Sequence, residues 1–256
     1  MTIGLLFIGH GTRRQAGIDE FLSFVSAVRS RLSRSIPCAH AFLELQKPDI
    51  ASGVDELIRQ GVTFVVCVPF FLFAAGHMKE DIPSELATVQ NKHPHLSFSL
   101  LPPFGEATAL VDVALARLQE QGVEDLGHTT AVVLVGRGNK DEEAQRANQG
   151  VAQAIRARLQ GGLVEVGYLA GTGESLENVL TRLRADGWGQ IMLLPYLWFQ
   201  GWLTDTLPDR VEAWRDNADI EIHIASHLGL HPLFLDLVTQ RVSSALVQLC
   251  DPVVSE

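Results

Sequence analysis

Leu5-Leu6-Phe7-Ile8-Gly9-His10-Gly11 and Val132-Val133-Leu134-Val135-Gly136-Arg137-Gly138 are two copies of one phrase, and only the first carries a histidine. A second phrase also recurs. Val65-Val66-Cys67-Val68-Pro69-Phe70-Phe71-Leu72-Phe73 returns as Ile191-Met192-Leu193-Leu194-Pro195-Tyr196-Leu197-Trp198-Phe199. The offset is 127 between Gly9 and Gly136 and 126 between Pro69 and Pro195, so the halves align with almost no gaps. Self-similarity of this kind indicates two copies of one supersecondary plan. It divides the 256 residues into expected domains 1–124 and 125–256, each near the usual domain size.

Apolar runs of strand length fall near 3–8, 39–45, 62–69 and 96–101, and again near 130–136, 163–169, 189–196 and 219–225. Between them lie helical patterns, such as Ile18, Phe21, Leu22, Val25, Val28 and Leu32. Strictly alternating strands and helices imply a parallel sheet with helices on both faces and right-handed crossovers. The expected fold is therefore α/β, with two tandem four-stranded, doubly wound parallel sheets. Their join falls in the polar stretch from Gln119 to Thr130.

Composition narrows the function. A net charge of −10 argues against general nucleic-acid binding. No apolar run approaches the ~20 residues that span a bilayer, and the N-terminus has no basic leader. Cys38, Cys67 and Cys250 are widely spaced with no CxxC pair. They read as small core residues of a reducing compartment, which places the protein in the cytoplasm.

Three polar residues stand out on this frame. His10 follows the first strand, Glu44 ends the second in Phe42-Leu43-Glu44-Leu45, and His77 follows the third in Ala74-Ala75-Gly76-His77-Met78. The spacings, 34 and 33 residues, are about one strand-helix unit each. All three are expected at the carboxyl ends of successive strands, the edge where open α/β sheets bind ligands. Two imidazoles and a carboxylate suit a divalent first-row metal such as iron or cobalt. Singly, each has a plainer reading: a polar turn tip for His10, an ion pair with Arg13 or Lys47 for Glu44, a helix entry for His77. The second half sharpens the case. It keeps the glycines, Pro69/Pro195 and Pro83/Pro208, yet has Arg137, Ala170 and Trp202 where the first half has His10, Glu44 and His77.

The motifs Ile8-Gly9-His10-Gly11-Thr12-Arg13, Leu43-Glu44 and the long run Pro69-Phe70-Phe71-Leu72-Phe73-Ala74-Ala75-Gly76-His77-Met78-Lys79-Glu80-Asp81-Ile82-Pro83 resemble the class II tetrapyrrole chelatases. More narrowly, they resemble the sirohydrochlorin cobalto- and ferrochelatases of the CbiX/SirB type, whose long form has two chelatase-like halves. The resemblance implies insertion of Co2+ or Fe2+ into sirohydrochlorin. It implies His10 and His77 as metal-binding histidines, Glu44 as the active-site carboxylate, and no tightly bound cofactor, the metal being a substrate.

Sirohydrochlorin is a polycarboxylate while the chain is acidic, so any attraction must be local. Arg13, Arg14 and Lys79 flank the candidate ligands, and Arg137, Lys140 and Arg146 flank the equivalent loop of the other half. Arginine binds carboxylate bidentately. Arg13, Lys79, Arg137 and Trp202 are the expected substrate contacts. The aromatic set Phe70, Phe71, Phe73, Tyr196, Trp198, Phe199 and Trp202 offers flat surfaces for a macrocycle or, for about half of it, ordinary core packing. Two other functions fit less well. A non-enzymatic metal carrier leaves the aromatic second half unexplained. A histidine phosphatase needs several arginines around a nucleophilic histidine, where here Glu44 and His77 are the partners.

Overall fold

The computed structural model describes residues 1–32, 36–105, 107–122, 129–159, 162–215 and 220–250, the last without its side chain. Strands β1 (Ile3–Gly9), β2 (Cys38–Phe42), β3 (Phe64–Pro69) and β4 (Ser97–Leu100) form one sheet. β5 (Thr130–Gly136), β6 (Leu163–Tyr168), β7 (Gln190–Pro195) and β8 (Glu221–Ile224) form a second. Every pairing is parallel, and the orders are β2-β1-β3-β4 and β6-β5-β7-β8. The helices are α1 (Gln15–Arg31), α2 (Ile50–Arg59), α3 (Ile82–Lys92), α4 (Thr108–Gln119), α5 (Glu142–Arg158), α6 (Leu176–Ala185), α7 (Trp202–Arg215) and α8 (Pro232–Cys250). Each expected strand is present: β1 runs one residue further, β5 has the expected bounds, and the other six are shorter by one to three residues. Asp219, expected in the last strand, lies outside the described residues.

Why these segments become central strands is plain from their composition. β1 and β5 are continuous apolar runs, buried from Gly4 to Gly9 and from Thr130 to Gly136. Such runs are buried on both faces. Alternate residues point to opposite sides. Leu6 and Ile8 join Ile50, Val54 and Leu57 of α2 and Ile82, Leu86 and Val89 of α3 in one core layer. On the other side Phe7, Phe21 and Phe24 surround Phe70, with ring centroids 5.4–6.0 Å apart. Phe70 is thus a core residue, as are Tyr196 and Trp198 in the other sheet's unit.

The chain resolves into two compact units, and they do not follow a single cut. The first comprises 1–71, 76–103 and 230–256, and the second 72–75 and 104–229. The boundary expected at 124/125 falls within residues 123–128, outside the described residues. The two helices that close the repeats are exchanged. α4, which follows the first sheet, packs on α5 and β7 of the second unit, and α8 packs on α1 of the first. Phe234 of α8 is fully buried, its ring 5.1 Å from that of Phe24. Arg31 pairs with Asp236 at 2.6 Å, and Arg241 donates to the carbonyls of Pro102 and Pro103. No described helix is long and apolar enough to cross a membrane.

Phe234→Ala, a change in the second repeat of the sequence, is expected to destabilise the first unit by about 3–5 kcal/mol, the usual cost of emptying a buried phenylalanine site. Native-state hydrogen exchange should show protection falling in α1 and β1. Loss confined to β5 and β7 would contradict the exchange of helices.

Candidate metal centre

Parallel register levels the ends of three adjacent strands. Gly9 pairs with Phe42, and Ile8 with Pro69. Past the last paired residues the ladder continues through loops: the Leu43 amide donates to the Gly9 carbonyl at 2.9 Å, and the Glu44 amide to the His10 carbonyl at 3.0 Å. Gly11 permits this approach. It sits at φ +97°, and a Cβ there would collide with the Glu44 carbonyl oxygen. The Gln46 side chain bonds the Thr12 carbonyl at 2.9 Å and ties the two loops together. Glu44 itself precedes a strained turn. Leu45 has φ +65°, and the Gln46 amide closes back on the Glu44 carbonyl at 2.8 Å. A leucine in this region costs of order 1–3 kcal/mol, strain of the kind found at functional sites.

His77 arrives by a different route. After β3 the chain turns at Gly76 into a π-helical turn, His77–Asp81, which runs directly into α3. Isolated π turns recur at functional positions in helices.

These routes bring the ligand atoms of His10, Glu44 and His77 within 4.8 Å of one another. His10 Nε2 lies 3.4 Å from Glu44 Oε1. The two imidazoles meet edge to face with centroids 4.8 Å apart, and Phe71 flanks both at 6.1 Å. His10 Nδ1 faces the Gly11 carbonyl at 3.2 Å, and His77 Nδ1 faces the Asp81 carboxylate at 2.7 Å. Both partners accept hydrogen bonds, so a metal bound at Nε2 would leave each Nδ1 proton on an acceptor. The side chains of His10, Glu44 and His77 are 28%, 47% and 32% exposed, which leaves coordination positions open to a substrate. Among the described residues no other group of three such side chains is brought together.

Burial, and then the charge of Arg29, holds half-buried His40 below the usual imidazole range. Burial drives the Cys67 thiol far above its ordinary value and so keeps it protonated. Of the expected substrate contacts, Arg13 is exposed shortly after His10, and Lys79 is exposed in the π turn. Arg137 is exposed after β5, and Trp202, 59% exposed, opens α7 of the second unit.

The second unit repeats the backbone and discards the ligands. The Leu169 amide donates to the Gly136 carbonyl at 3.0 Å and the Ala170 amide to the Arg137 carbonyl at 2.7 Å. Gly138 has φ +94°, and a Cβ there would strike the Ala170 carbonyl oxygen. Thr172 Oγ1 bonds the Asn139 carbonyl at 2.5 Å, where Gln46 bonds Thr12 in the first unit. The alignment of His10 with Arg137 and of Glu44 with Ala170 is therefore one of atoms as well as letters. Asp81, in contact with His77, is the residue the sequence analysis passed over. Its i,i+4 spacing from His77 was the available signal.

The family of the chain is shown by its similarity to known proteins. The family model CbiX matches residues 4–121 and again 131–245. The chain is 29% identical over 245 residues to the sirohydrochlorin cobaltochelatase of Priestia megaterium, covering 94% of this chain and 79% of that one. It is 30% identical over 243 residues to the sirohydrochlorin ferrochelatase of the same organism, covering 94% and 90%. Among solved structures, SirB from Bacillus subtilis with Fe3+ superposes with a TM-score of 0.85 at 28% identity over 97% of each chain. With both halves matched by one family model and 94% of its length shared with both curated relatives, the chain belongs to the CbiX family.

Proposed function

We propose that this protein inserts a divalent metal, Co2+ or Fe2+, into sirohydrochlorin. The observation that carries the reading is the convergence of two imidazoles and one carboxylate at the carboxyl edge of a chain of this family. A pair of histidines and a carboxylate on one face of a metal holds it while leaving other positions open. A chelatase needs that opening, because its metal must pass from protein to ring. The metal is a substrate and no resident cofactor is required.

The reaction exchanges two pyrrole N–H protons for one M2+, so two protons must leave as the metal enters. His10 and His77 hold the metal, and Glu44 completes the set. Metal and protons compete for the same lone pairs. As the ion moves to the ring nitrogens, the freed Nε2 of His10 accepts one of the two protons, with Glu44 stabilising the resulting imidazolium from 3.4 Å, and the other proton passes to solvent water. No electron transfer or covalent intermediate is involved. Domain roles follow from the ligands: the first half carries the metal site, and the second, lacking it, contributes to macrocycle binding. Arg13, Lys79 and Arg137 pair with the tetrapyrrole's carboxylates, and Trp202 offers a flat apolar face. The reaction suits a reducing cytoplasm, where Fe2+ and the free thiols Cys38 and Cys67 persist.

Purified protein given sirohydrochlorin and Co2+, or Fe2+ without oxygen, should convert the absorbance of the free ring to that of the metallated one. Metal binding without tetrapyrrole-dependent turnover would favour a carrier instead. His10→Ala and His77→Ala are each expected to lower turnover by at least about 100-fold, on the scale of losing an acid–base group, with circular dichroism unchanged. Near-parental turnover in either would remove that residue from the site.

Glu44→Gln keeps the shape and loses the charge. It should reduce kcat by about 10-fold or more while the Kd for sirohydrochlorin stays within about twofold. Unaltered kcat at neutral pH would make the carboxylate structural.

Arg137→Ala should raise the KM for sirohydrochlorin by about 10-fold, the order of one charge-assisted pair, and leave Co2+ affinity unchanged. Lost metal affinity with unaltered tetrapyrrole binding would reverse the assignment.

A further inference from the structure

Asp81 stands where a helix cap is expected, immediately before Ile82-Pro83 at the start of α3. Aspartate in that position ordinarily accepts hydrogen bonds from the first free amides of the helix. Here its side chain makes no capping bond. The chain enters α3 through the π-helical turn instead, where the Ile82 amide bonds the His77 carbonyl. With its amides so occupied, the turn leaves the Asp81 carboxylate facing its i−4 neighbour, and Asp81 Oδ2 lies 2.7 Å from His77 Nδ1.

Resting on the reading of His77 as a metal ligand, we infer that Asp81 is a positioning residue for the metal: its carboxylate fixes the ring orientation and tautomer of His77 so that Nε2 meets the ion. The carboxylate accepts only, so it holds the proton on Nδ1 and keeps the Nε2 lone pair exposed. It also limits rotation of a ring that is otherwise a third exposed. Carboxylates placed behind metal-binding imidazoles act in this way, and removing one commonly lowers metal affinity by about 10- to 100-fold. A folding role is the weaker account. The Asp81 side chain is 55% exposed, and ion pairs at that exposure contribute little to stability. The two histidines are held differently. His10 Nδ1 relies on a neutral backbone carbonyl, while His77 Nδ1 has a charged partner.

The test is Co2+ titration of the full chain, followed by the visible ligand-field absorption of the bound ion. Parental protein, Asp81→Ala, Asp81→Asn, His77→Ala and the His77→Ala/Asp81→Ala double variant are compared. Asp81→Ala should weaken Co2+ binding by about 10-fold or more and shift the absorption band. Asp81→Asn, which keeps an acceptor but not the charge, should lose less. Adding Asp81→Ala to His77→Ala should cause no further loss. The KM for sirohydrochlorin should be unchanged in Asp81→Ala, since nothing in this role touches the ring. Parental affinity and spectrum in a folded Asp81→Ala would overturn the inference, as would an equal loss in the His77→Ala background. If Asp81→Ala does not fold, an Asp81→Asn variant with parental affinity and spectrum overturns it. If His77→Ala itself binds Co2+ normally, the metal-centre reading fails and this inference fails with it. Loss in His77→Ala but not in Asp81→Ala defeats the inference alone.

Discussion

The hydrogen bond from the Glu44 amide to the His10 carbonyl carries the β1–β2 ladder past the end of both strands, and the candidate site depends on it. It sets the first two ligand residues side by side on backbone rather than on flexible side chains. It also demands glycine at position 11, because any Cβ would occupy the space of the Glu44 carbonyl. The remaining requirements follow. Glu44 must sit just before a strained turn, the Gln46 side chain must brace the Thr12 loop, and His77 must approach from the third strand to complete the cluster. A site held by backbone register keeps its geometry as the metal leaves, which a chelatase needs on every turnover.

The second unit acts as an internal control on that account. It preserves the same ladder extension, the same glycine conformation and an equivalent loop-to-loop bond, yet places arginine, alanine and tryptophan where the ligands were. The backbone arrangement therefore belongs to the fold, and it persists without the imidazoles and the carboxylate. Arginine stays cationic at all relevant pH values. The change from His10 to Arg137 turns a position suited to a metal into one suited to a carboxylate.

Much of this was legible in the letters. Both sheets followed from apolar run length, and the cluster followed from even spacing on a repeating strand-helix frame. Three features were not legible, for distinct physical reasons. The exchange of α4 and α8 is a long-range packing choice: an amphipathic helix at the end of each repeat suits either sheet, and nothing local selects one. The π-helical turn differs from an α-helix by a single residue of hydrogen-bond register, which residue types hardly encode, and only the i,i+4 spacing hinted at the contact of Asp81 with His77. The turn at Leu45 has a positive φ without glycine, so the usual sign of that conformation is missing. The aromatic set also divided in a way composition did not foretell. Phe70, Tyr196 and Trp198 went to the cores, while Trp202 stayed exposed.

The central claim is that one metal ion is held by Nε2 of His10, Nε2 of His77 and a carboxylate oxygen of Glu44. The most direct measurement is a crystal structure of the protein soaked with Co2+, with diffraction recorded on both sides of the cobalt absorption edge. The account predicts an anomalous peak at roughly 2.1 Å, an ordinary first-row metal–nitrogen distance, from both Nε2 atoms, with Glu44 within bonding reach. A dominant peak elsewhere, or one bound through Nδ1 of either histidine, would contradict it.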